Sequence, residues 1–223
     1  MLVPPKYFLT PKITQFLQSI EASKEVISAI QIPPEIETNI RRQSTLKSSL
    51  FSARVEGNPL TLEDLPKKPS KDQRKLEVFN ILKALNLIHQ KGSKDLTIKQ
   101  ILELHKIVMS DLTAKDDLGN FRIDTGAIFN SVGIAIYLPP RPSQLIPLIN
   151  KLVNFINSSK EIFVPIRACL AHYGFEKIHP FLDGNGRVGR LLIQAVLQKS
   201  GYGMKGLIPI EEYLDNNRSE YYS

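Results

Sequence analysis

Apolar residues recur mostly at every third or fourth position along this chain, a spacing that predicts a predominantly helical fold. Thr10 followed by Pro11 predicts the first helix start, with the threonine as N-cap and the proline at the first helical position. Thr97 with Gln100 has the pattern of a capping box and predicts another start. Further helices are expected from Pro34 to about Val55, from about Lys71 to Lys91 with Gly92 as the stop, and at about Pro142–Asn157, Val164–Lys177, Arg187–Lys199 and from Ile210 onward.

The pattern changes between Gly119 and Pro140, where glycine, asparagine and serine separate short runs of β-branched residues. The runs 127–129 and 134–137 predict a small β-hairpin within the helical chain. Near the N-terminus, a group of aromatic residues is expected to pack a small lobe; its members are Tyr7, Phe8 and Phe16.

The charge balance is basic, since 29 Lys and Arg against 22 Asp and Glu give a net charge of +7. That balance alone would suggest nucleic acid or another acidic partner, but the basic residues are scattered, so a solvated basic surface is the better interpretation. The single cysteine, Cys169, excludes an intramolecular disulfide and fits a cytoplasmic setting, and its apolar neighbours predict a buried thiol. Neither a secretory signal nor a membrane-spanning stretch is visible in the sequence.

The length suits one sizeable domain with a small lobe. We expect an N-terminal helical lobe over residues 1–70 and the main core over residues 71–223. The last helical pattern is still running at Ser223 without a cap, so we expect the core to be C-terminally truncated relative to a longer protein.

The segment from His179 to Arg190 joins two helical patterns and concentrates the groups that phosphoryl or nucleotidyl transfer needs. Gly184, Asn185 and Gly186 permit backbone conformations in which successive N–H groups converge on one point. Because a helix begins there as well, the loop suits phosphate oxygens.

Four side chains of this segment supply the remaining chemistry. Arg187 and Arg190 project from nearly the same face of the following helix, where two guanidiniums can hold a polyphosphate. Asp183 offers the hard oxygen that Mg²⁺ takes when phosphates and water complete its shell. His179 titrates near neutrality and can accept a hydroxyl proton.

Two other nucleotide-binding patterns fit this segment less well. Gly184-x-Gly186-x-x-Gly189 matches the dinucleotide fingerprint, but no apolar strand precedes it, and the Gly-Lys-Ser/Thr of a P-loop is missing. Taken separately, a histidine before proline and a Gly-Asn-Gly turn are more often structural. The prediction therefore depends on the combination.

The segment resembles the signature of the Fic family, which is His-Pro-Phe, then Asp or Glu with Gly-Asn-Gly-Arg, and a second arginine three residues later. The resemblance extends from about Ser52 to Ser223. It implies an all-α fold, a Fic-type helical bundle with a short β-hairpin flap, and transfer of AMP from ATP to Ser, Thr or Tyr hydroxyls of a target protein. It implies His179 as the base, Asp183 as the Mg²⁺ ligand, and Gly184, Asn185, Gly186, Arg187 and Arg190 as the triphosphate site.

Two further stretches resemble family features. Residues 119–122 and the pair Pro139-Pro140 resemble the segments around the flap, which in the family pairs with the target segment and lines the nucleotide site. On that resemblance, the flap residues beside the nucleotide are Ile134, Ala135, Ile136 and Tyr137. Residues 218–222 resemble the helix that closes the adenine pocket, which implies that Tyr221 lies nearest the nucleotide and that further contacts follow Ser223.

Ser52, three variable residues, Glu56 and Gly57 resemble the inhibitory motif of the family, in its class with an N-terminal inhibitory helix at about 34–57. Glu56 is predicted to end a helix, where the macrodipole disfavours a negative charge by roughly 0.3–1 kcal/mol. The family's glutamate pairs with the second signature arginine, here Arg190, and keeps it from the γ-phosphate of ATP. The alternative is an exposed, solvated glutamate at a frayed helix end.

Three other functions stay open at this stage: removal of AMP from a modified protein with the help of Glu56, transfer of another nucleotide, and a nucleic-acid-associated regulator if a DNA-binding module follows. The implied cofactors are ATP and Mg²⁺. The implied partner is a target protein, and the chain itself is one possible target. We expect a monomer or a homodimer and no association with a membrane. His89, His105 and His172 are not spaced like metal ligands, so structural or surface roles are expected.

Overall fold

A computed structural model of the chain describes residues 3–65, 72–91, 95–129 and 133–222. Within these ranges the chain forms α-helices, one two-stranded hairpin and two 3₁₀ turns, at Pro142–Gln144 and Met204–Gly206. The helices are α1 (Pro11–Ala29), α2 (Pro34–Val55), α3 (Gln73–Lys91), α4 (Ile98–Val108), α5 (Leu145–Asn157), α6 (Val164–Ile178), α7 (Asn185–Lys199), α8 (Ile210–Asn216) and α9 (Arg218–Tyr222). The predicted all-α class is confirmed.

Some expectations fall outside the described residues. These are the start of the third helix at Lys71, its stop at Gly92, the boundary between residues 70 and 71, and the chain end at Ser223. The two-part division of the chain stays a prediction.

The predicted caps are present. The Thr10 side chain accepts a hydrogen bond from the Ile13 backbone N–H at 3.2 Å, and Pro11 occupies the first turn of α1. At α4, Thr97 and Gln100 form the reciprocal capping box. These contacts satisfy backbone donors that a helix start leaves without intrahelical partners.

The expectation that the N-terminal aromatic residues pack the lobe is wrong. Phe8 is 86% exposed and Phe16 is 56% exposed, and Tyr7 instead donates a hydrogen bond from its hydroxyl to Glu161 at 2.6 Å. The physical reason is that α1 contacts the 3₁₀ turn at Met204–Gly206 on the surface and does not enter the core. None of the 19 residues of α1 is buried.

Helix α2 enters the body of the protein with its C-terminal half. It packs against α3, α7 and α8, and the small side chains on its buried face allow close approach. Its last helical residue is Val55, Glu56 is the C-cap, and Gly57 has φ of +97°. A left-handed glycine after a helix end is the common way to stop a helix, so the predicted boundary is confirmed.

Two hydrophobic clusters form the core and meet on α7. Val188 and Leu192 of α7 pack with α5 and α6, whereas Leu191 packs with α2, α3 and α4. Because α7 contributes to both clusters, its N-terminus is held firmly in the middle of the molecule. The helix starts at Asn185, two residues before the predicted start, because Gly184 adopts φ of +80° and serves as the N-cap.

The predicted hairpin is confirmed. Strand β1 (Ile128–Phe129) pairs antiparallel with β2 (Ala135–Tyr137), with Ile128 opposite Tyr137. The expectation of a buried thiol at Cys169 is wrong, since this side chain is exposed on the outer face of α6 while Ala168 and Ala171 point inward. Among the described residues, no helix has the length and apolar character to cross a membrane.

Candidate active site

The loop between α6 and α7 begins at His179, which caps α6 in the left-handed conformation with φ of +48°. Its N–H donates to the Phe175 carbonyl at 2.9 Å, and its carbonyl accepts from Arg122 Nε at 2.8 Å. Burial lowers the pKa of His179, and the backbone carbonyl of Glu176, as an acceptor for the ring, acts against that shift. The imidazole is therefore neutral at neutral pH and able to accept a proton.

Arg122 fixes the backbone around the loop from the chain segment before the hairpin. Besides His179, its guanidinium donates to the carbonyls of Asp124 at 2.7 Å and Pro140 at 2.6 Å, and its own N–H donates to Pro180 at 2.9 Å. Arg122 is only 7% exposed. One buried side chain thus joins both ends of the hairpin segment to the loop that carries His179.

The middle of the loop is closed by Asn185 and Phe181. The Asn185 side chain accepts from the Phe181 N–H at 2.9 Å and donates to the Phe181 carbonyl at 2.8 Å. Since this amide is buried and bonded on both sides, the part of Asn185 that remains for a phosphate is its backbone N–H.

His105 supports the same loop from α4. Its ring stacks on Phe181 with centroids 3.8 Å apart, its Nδ1 accepts from the Gly119 N–H at 2.9 Å, and its Nε2 lies 3.1 Å from the Asp183 carbonyl. An Nδ1 that accepts leaves the proton on Nε2, which donates to Asp183. Burial lowers the pKa of His105 and favours this neutral form. The structural role expected for this histidine agrees with its contacts.

The N-terminus of α7 presents backbone donors. The first intrahelical hydrogen bond runs from Val188 N to the Gly184 carbonyl at 3.0 Å, so the N–H groups of residues 185–187 precede the helical ladder. Such a terminus favours an anion. A side chain at Gly186 would collide with the Glu56 carboxylate, which shows that this carboxylate lies directly beside the terminus. The charge that is unfavourable at the end of α2 is thereby compensated at the start of α7.

Arg190 makes the ion pair that the sequence predicted. Its Nη2 donates to Glu56 Oε1 at 2.7 Å and to the Ser52 carbonyl at 2.8 Å, and its Nε donates to Ser52 Oγ at 2.9 Å. Arg190 is only 1% exposed. Burial opposes its charge, but Glu56, together with Tyr221, outweighs burial and raises the pKa of Arg190. The guanidinium is charged, and its Nε and Nη2 donors are committed to α2.

Arg187 is held between two carboxylates. Its Nη1 donates to Glu77 Oε1 of α3 at 2.8 Å, and its Nη2 donates to Asp183 Oδ1 at 2.9 Å. Sequence reasoning missed Glu77, because the two partners lie 110 positions apart and no local motif marks the glutamate.

Tyr221 also reaches this centre, on α9. Its hydroxyl accepts from Arg190 Nη1 at 3.3 Å and lies 2.9 Å from His172 Nε2. Burial lowers the pKa of His172 to about 4 and raises the pKa of Glu176, on the next turn of α6, to about 7. These two side chains were not singled out for this site by the sequence, and they form a partly buried polar layer near Arg190.

Asp183 fits the predicted metal role by its exposure and donor type. Its carboxylate is 62% exposed, and the hydrogen bonds from Arg187 and from the Gly184 N–H both reach Oδ1. Among the described residues, no cluster of three or more metal-ligating side chains occurs. A magnesium ion at Asp183 would therefore complete its shell with phosphate oxygens and water, as is usual for this ion.

The flap residues are less closely tied to the loop. The Tyr137 hydroxyl donates to the Lys177 carbonyl at 2.8 Å, and the Lys177 ammonium lies 4.4 Å from the Tyr137 ring centre. Ile134 and Ile136 are each 62% exposed, and Ala135 between them is exposed as well. Their predicted place beside a nucleotide stays a prediction.

Comparison with known proteins agrees with this geometry. The sequence profile of the Fic/DOC family matches residues 95–197. Over 218 residues the chain is 29% identical to the protein adenylyltransferase Fic of Drosophila melanogaster and 30% identical to that of Drosophila erecta, which covers 92% of this chain in both cases. The chain spans only 42% and 41% of the length of these two relatives.

Solved structures share the fold. A Fic family protein from Desulfovibrio desulfuricans superposes with a TM-score of 0.78 at 23% identity, over 98% of this chain and 66% of that one. Fic-1 from C. elegans superposes with a TM-score of 0.67 at 20% identity, over 96% of this chain and 73% of that one. The family profile, the relatives and the fold agree, and the chain is a Fic domain protein.

Proposed function

We propose that this protein transfers AMP from ATP to a Ser, Thr or Tyr hydroxyl of a target protein, with Mg²⁺ as cofactor, and that Glu56 restrains the transfer. The curated relatives are named protein adenylyltransferases, which supports the reaction class. The observation that carries the proposal is the convergence of His179, two arginines and the N-terminus of α7 on the loop that Asn185 closes.

The geometry supports the following division of labour. The neutral His179 takes the proton of the target hydroxyl, whose oxygen attacks the α-phosphorus of ATP. The bond between the α-phosphorus and the bridging oxygen breaks, and pyrophosphate leaves. Arg187, Arg190 and the helix N-terminus hold the negative charge of the leaving group. A magnesium ion on Asp183 would supply further charge neutralisation.

The restraint follows from what Arg190 already binds. Its Nη2 is shared by Glu56 and the Ser52 carbonyl, and the Glu56 carboxylate lies beside Gly186, where an anion of the substrate would bind. A γ-phosphate therefore competes with Glu56 both for the guanidinium and for the helix terminus. Removal of the carboxylate frees both.

The test is transfer of label from α-³²P-ATP with Mg²⁺ to proteins in a cell lysate and to the chain itself. We expect strong labelling by Glu56→Gly, little by the wild type, and a loss of about 10²-fold or more when His179→Ala is added to Glu56→Gly. Absence of labelling by Glu56→Gly, with all three proteins folded, would contradict the AMP assignment.

A second candidate is removal of AMP from a modified protein, with Glu56 directing a water molecule. It is favoured by one observation: the hydrogen bond from Arg190 reaches Oε1, and the Glu56 side chain remains 31% exposed. Incubation of an AMP-modified target with the wild type and with Glu56→Gly separates the two functions. Release of AMP by the wild type alone would favour removal.

A further inference from the structure

Glu77 on α3 lies between the segment that follows Glu56 and the loop between α6 and α7. Its Oε1 accepts from Arg187 Nη1 at 2.8 Å, and its Oε2 accepts from Asn58 Nδ2 at 2.7 Å. The side chains of Arg187 and Glu77 are only 9% and 14% exposed. Because so little water reaches this ion pair, neither side chain can exchange its partner for solvent, and each fixes the position of the other.

Asn58, two residues after Glu56, holds Glu77 from the other side. Its Nδ2 also donates to the Arg74 carbonyl at 2.9 Å, while its Oδ1 accepts from the Leu60 N–H at 3.1 Å. The donor end of this amide therefore faces α3, and the acceptor end stabilises the turn. Asn58 is 8% exposed.

We infer that Glu77 is a positioning residue for Arg187, and that Asn58 orients Glu77, so that the segment which restrains the enzyme through Glu56 also supports its catalytic arginine. The inference rests on the proposed function, because it gives Arg187 its role from that reaction. It concerns residues that lie outside the signature and outside the inhibitory motif.

The arrangement has a consequence for the metal. Arg187 bonds to the Asp183 carboxylate, which is the group expected to hold Mg²⁺, so metal and guanidinium compete for it. The Glu77 carboxylate neutralises part of the positive charge of Arg187, which weakens the attraction between Arg187 and Asp183. If Glu77 loses its charge, Arg187 has Asp183 as its remaining carboxylate partner among the contacts described, it neutralises more of the Asp183 charge, and more Mg²⁺ is needed to reach the same occupancy.

The experiment uses the Glu56→Gly chain, in which nucleotide binding is unrestrained, with Glu77→Gln and Asn58→Asp added separately. Glu77→Gln keeps the size of the side chain and removes its charge. Asn58→Asp keeps the acceptor for Leu60 and removes the donor to Glu77. Asp95→Asn is the matched control, since it removes the exposed carboxylate of the Lys199 pair far from the loop.

Two quantities are measured. The first is the Mg²⁺ concentration that half-saturates binding of α,β-methylene-ATP, followed by calorimetry without any turnover. The second is kcat/KM for labelling. We expect Glu77→Gln to raise the half-saturating Mg²⁺ threefold or more and to lower kcat/KM by about 10-fold to 100-fold, the usual range for a residue that orients a ligand. Asp95→Asn is expected to change neither quantity.

A Glu77→Gln chain that folds and shifts the half-saturating Mg²⁺ less than threefold overturns the inference. If Glu77→Gln does not fold, Asn58→Asp decides by its kcat/KM: a tenfold loss or more supports the inference, and a smaller loss overturns it. Failure of the proposed function is distinguishable, because the Glu56→Gly parent would then label nothing while its analogue binding could still be titrated.

Discussion

Glu56→Gln provides a stability test of the restraint. The substitution keeps the shape of the side chain and removes the charge that faces Arg190. Breaking a fully buried ion pair by removing one partner costs about 3–5 kcal/mol. Here Arg190 is 1% exposed but the Glu56 side chain is 31% exposed, and Arg190 keeps its bonds to Ser52 and Tyr221. We therefore expect the free energy of unfolding to fall by about 2 kcal/mol.

Urea unfolding followed by circular dichroism measures this loss, which corresponds to a midpoint shift between about 0.5 and 1 M. The matched control is Glu212→Gln, because the Glu212 side chain is 33% exposed and pairs with Lys47 at 3.3 Å on the surface. That pair is worth less than about 1 kcal/mol. A saturating non-transferable ATP analogue should stabilise Glu56→Gln more than the wild type, since its phosphates replace the lost partner of Arg190.

The reasoning is refuted if Glu56→Gln unfolds at the same urea concentration as the wild type, or if the analogue stabilises both proteins equally. Either result would mean that Glu56 is not the charge partner of Arg190 in solution.

Substitutions at two further positions test the surroundings of the loop. Burial raises the pKa of Glu176 from 4.5 to about 7, so the folded state retains a proton that the unfolded chain loses; this stabilisation is present below pH 4.5 and is lost as the pH rises to about 7. The unfolding free energy of Glu176→Gln should therefore exceed that of the wild type by up to about 3 kcal/mol at pH 8 and by less than about 1 kcal/mol at pH 5. A difference in unfolding free energy that does not depend on pH would contradict the raised pKa of Glu176. Asn185→Ala should cost about 2–4 kcal/mol, because both backbone groups of Phe181 lose their partners, and Asn185→Asp should lose no less, because one of its carboxylate oxygens would face the Phe181 carbonyl in a buried place; an unchanged urea midpoint for either variant would contradict this view of the loop.

Local chemistry determined which parts of the fold could be predicted. Thr10 and the pair Thr97–Gln100 mark helix starts through contacts within one turn, so the sequence alone located them. The exposed Phe8 and Phe16 were mispredicted because an apolar side chain does not tell which surface, if any, will cover it.

The same distinction applies to the site. The signature residues lie within twelve positions of one another, so their pattern is visible in the printed sequence. Glu77 reaches Arg187, and His172 reaches Tyr221, only after the helices have packed. The Glu56–Arg190 pair was predictable across 134 positions only through resemblance to a family.

Arg122 gives the hairpin two regions of different stiffness. Its guanidinium ties the carbonyls of Asp124, Pro140 and His179 together inside the protein, whereas Ile134 and Ile136 stand out in solvent. We therefore expect substitutions on the exposed strand to leave the hydrogen bonds of Arg122, and with them the backbone of His179, unchanged. For protein engineering, Ile134 and Ile136 are thus positions at which new side chains can be introduced without rebuilding the loop of His179.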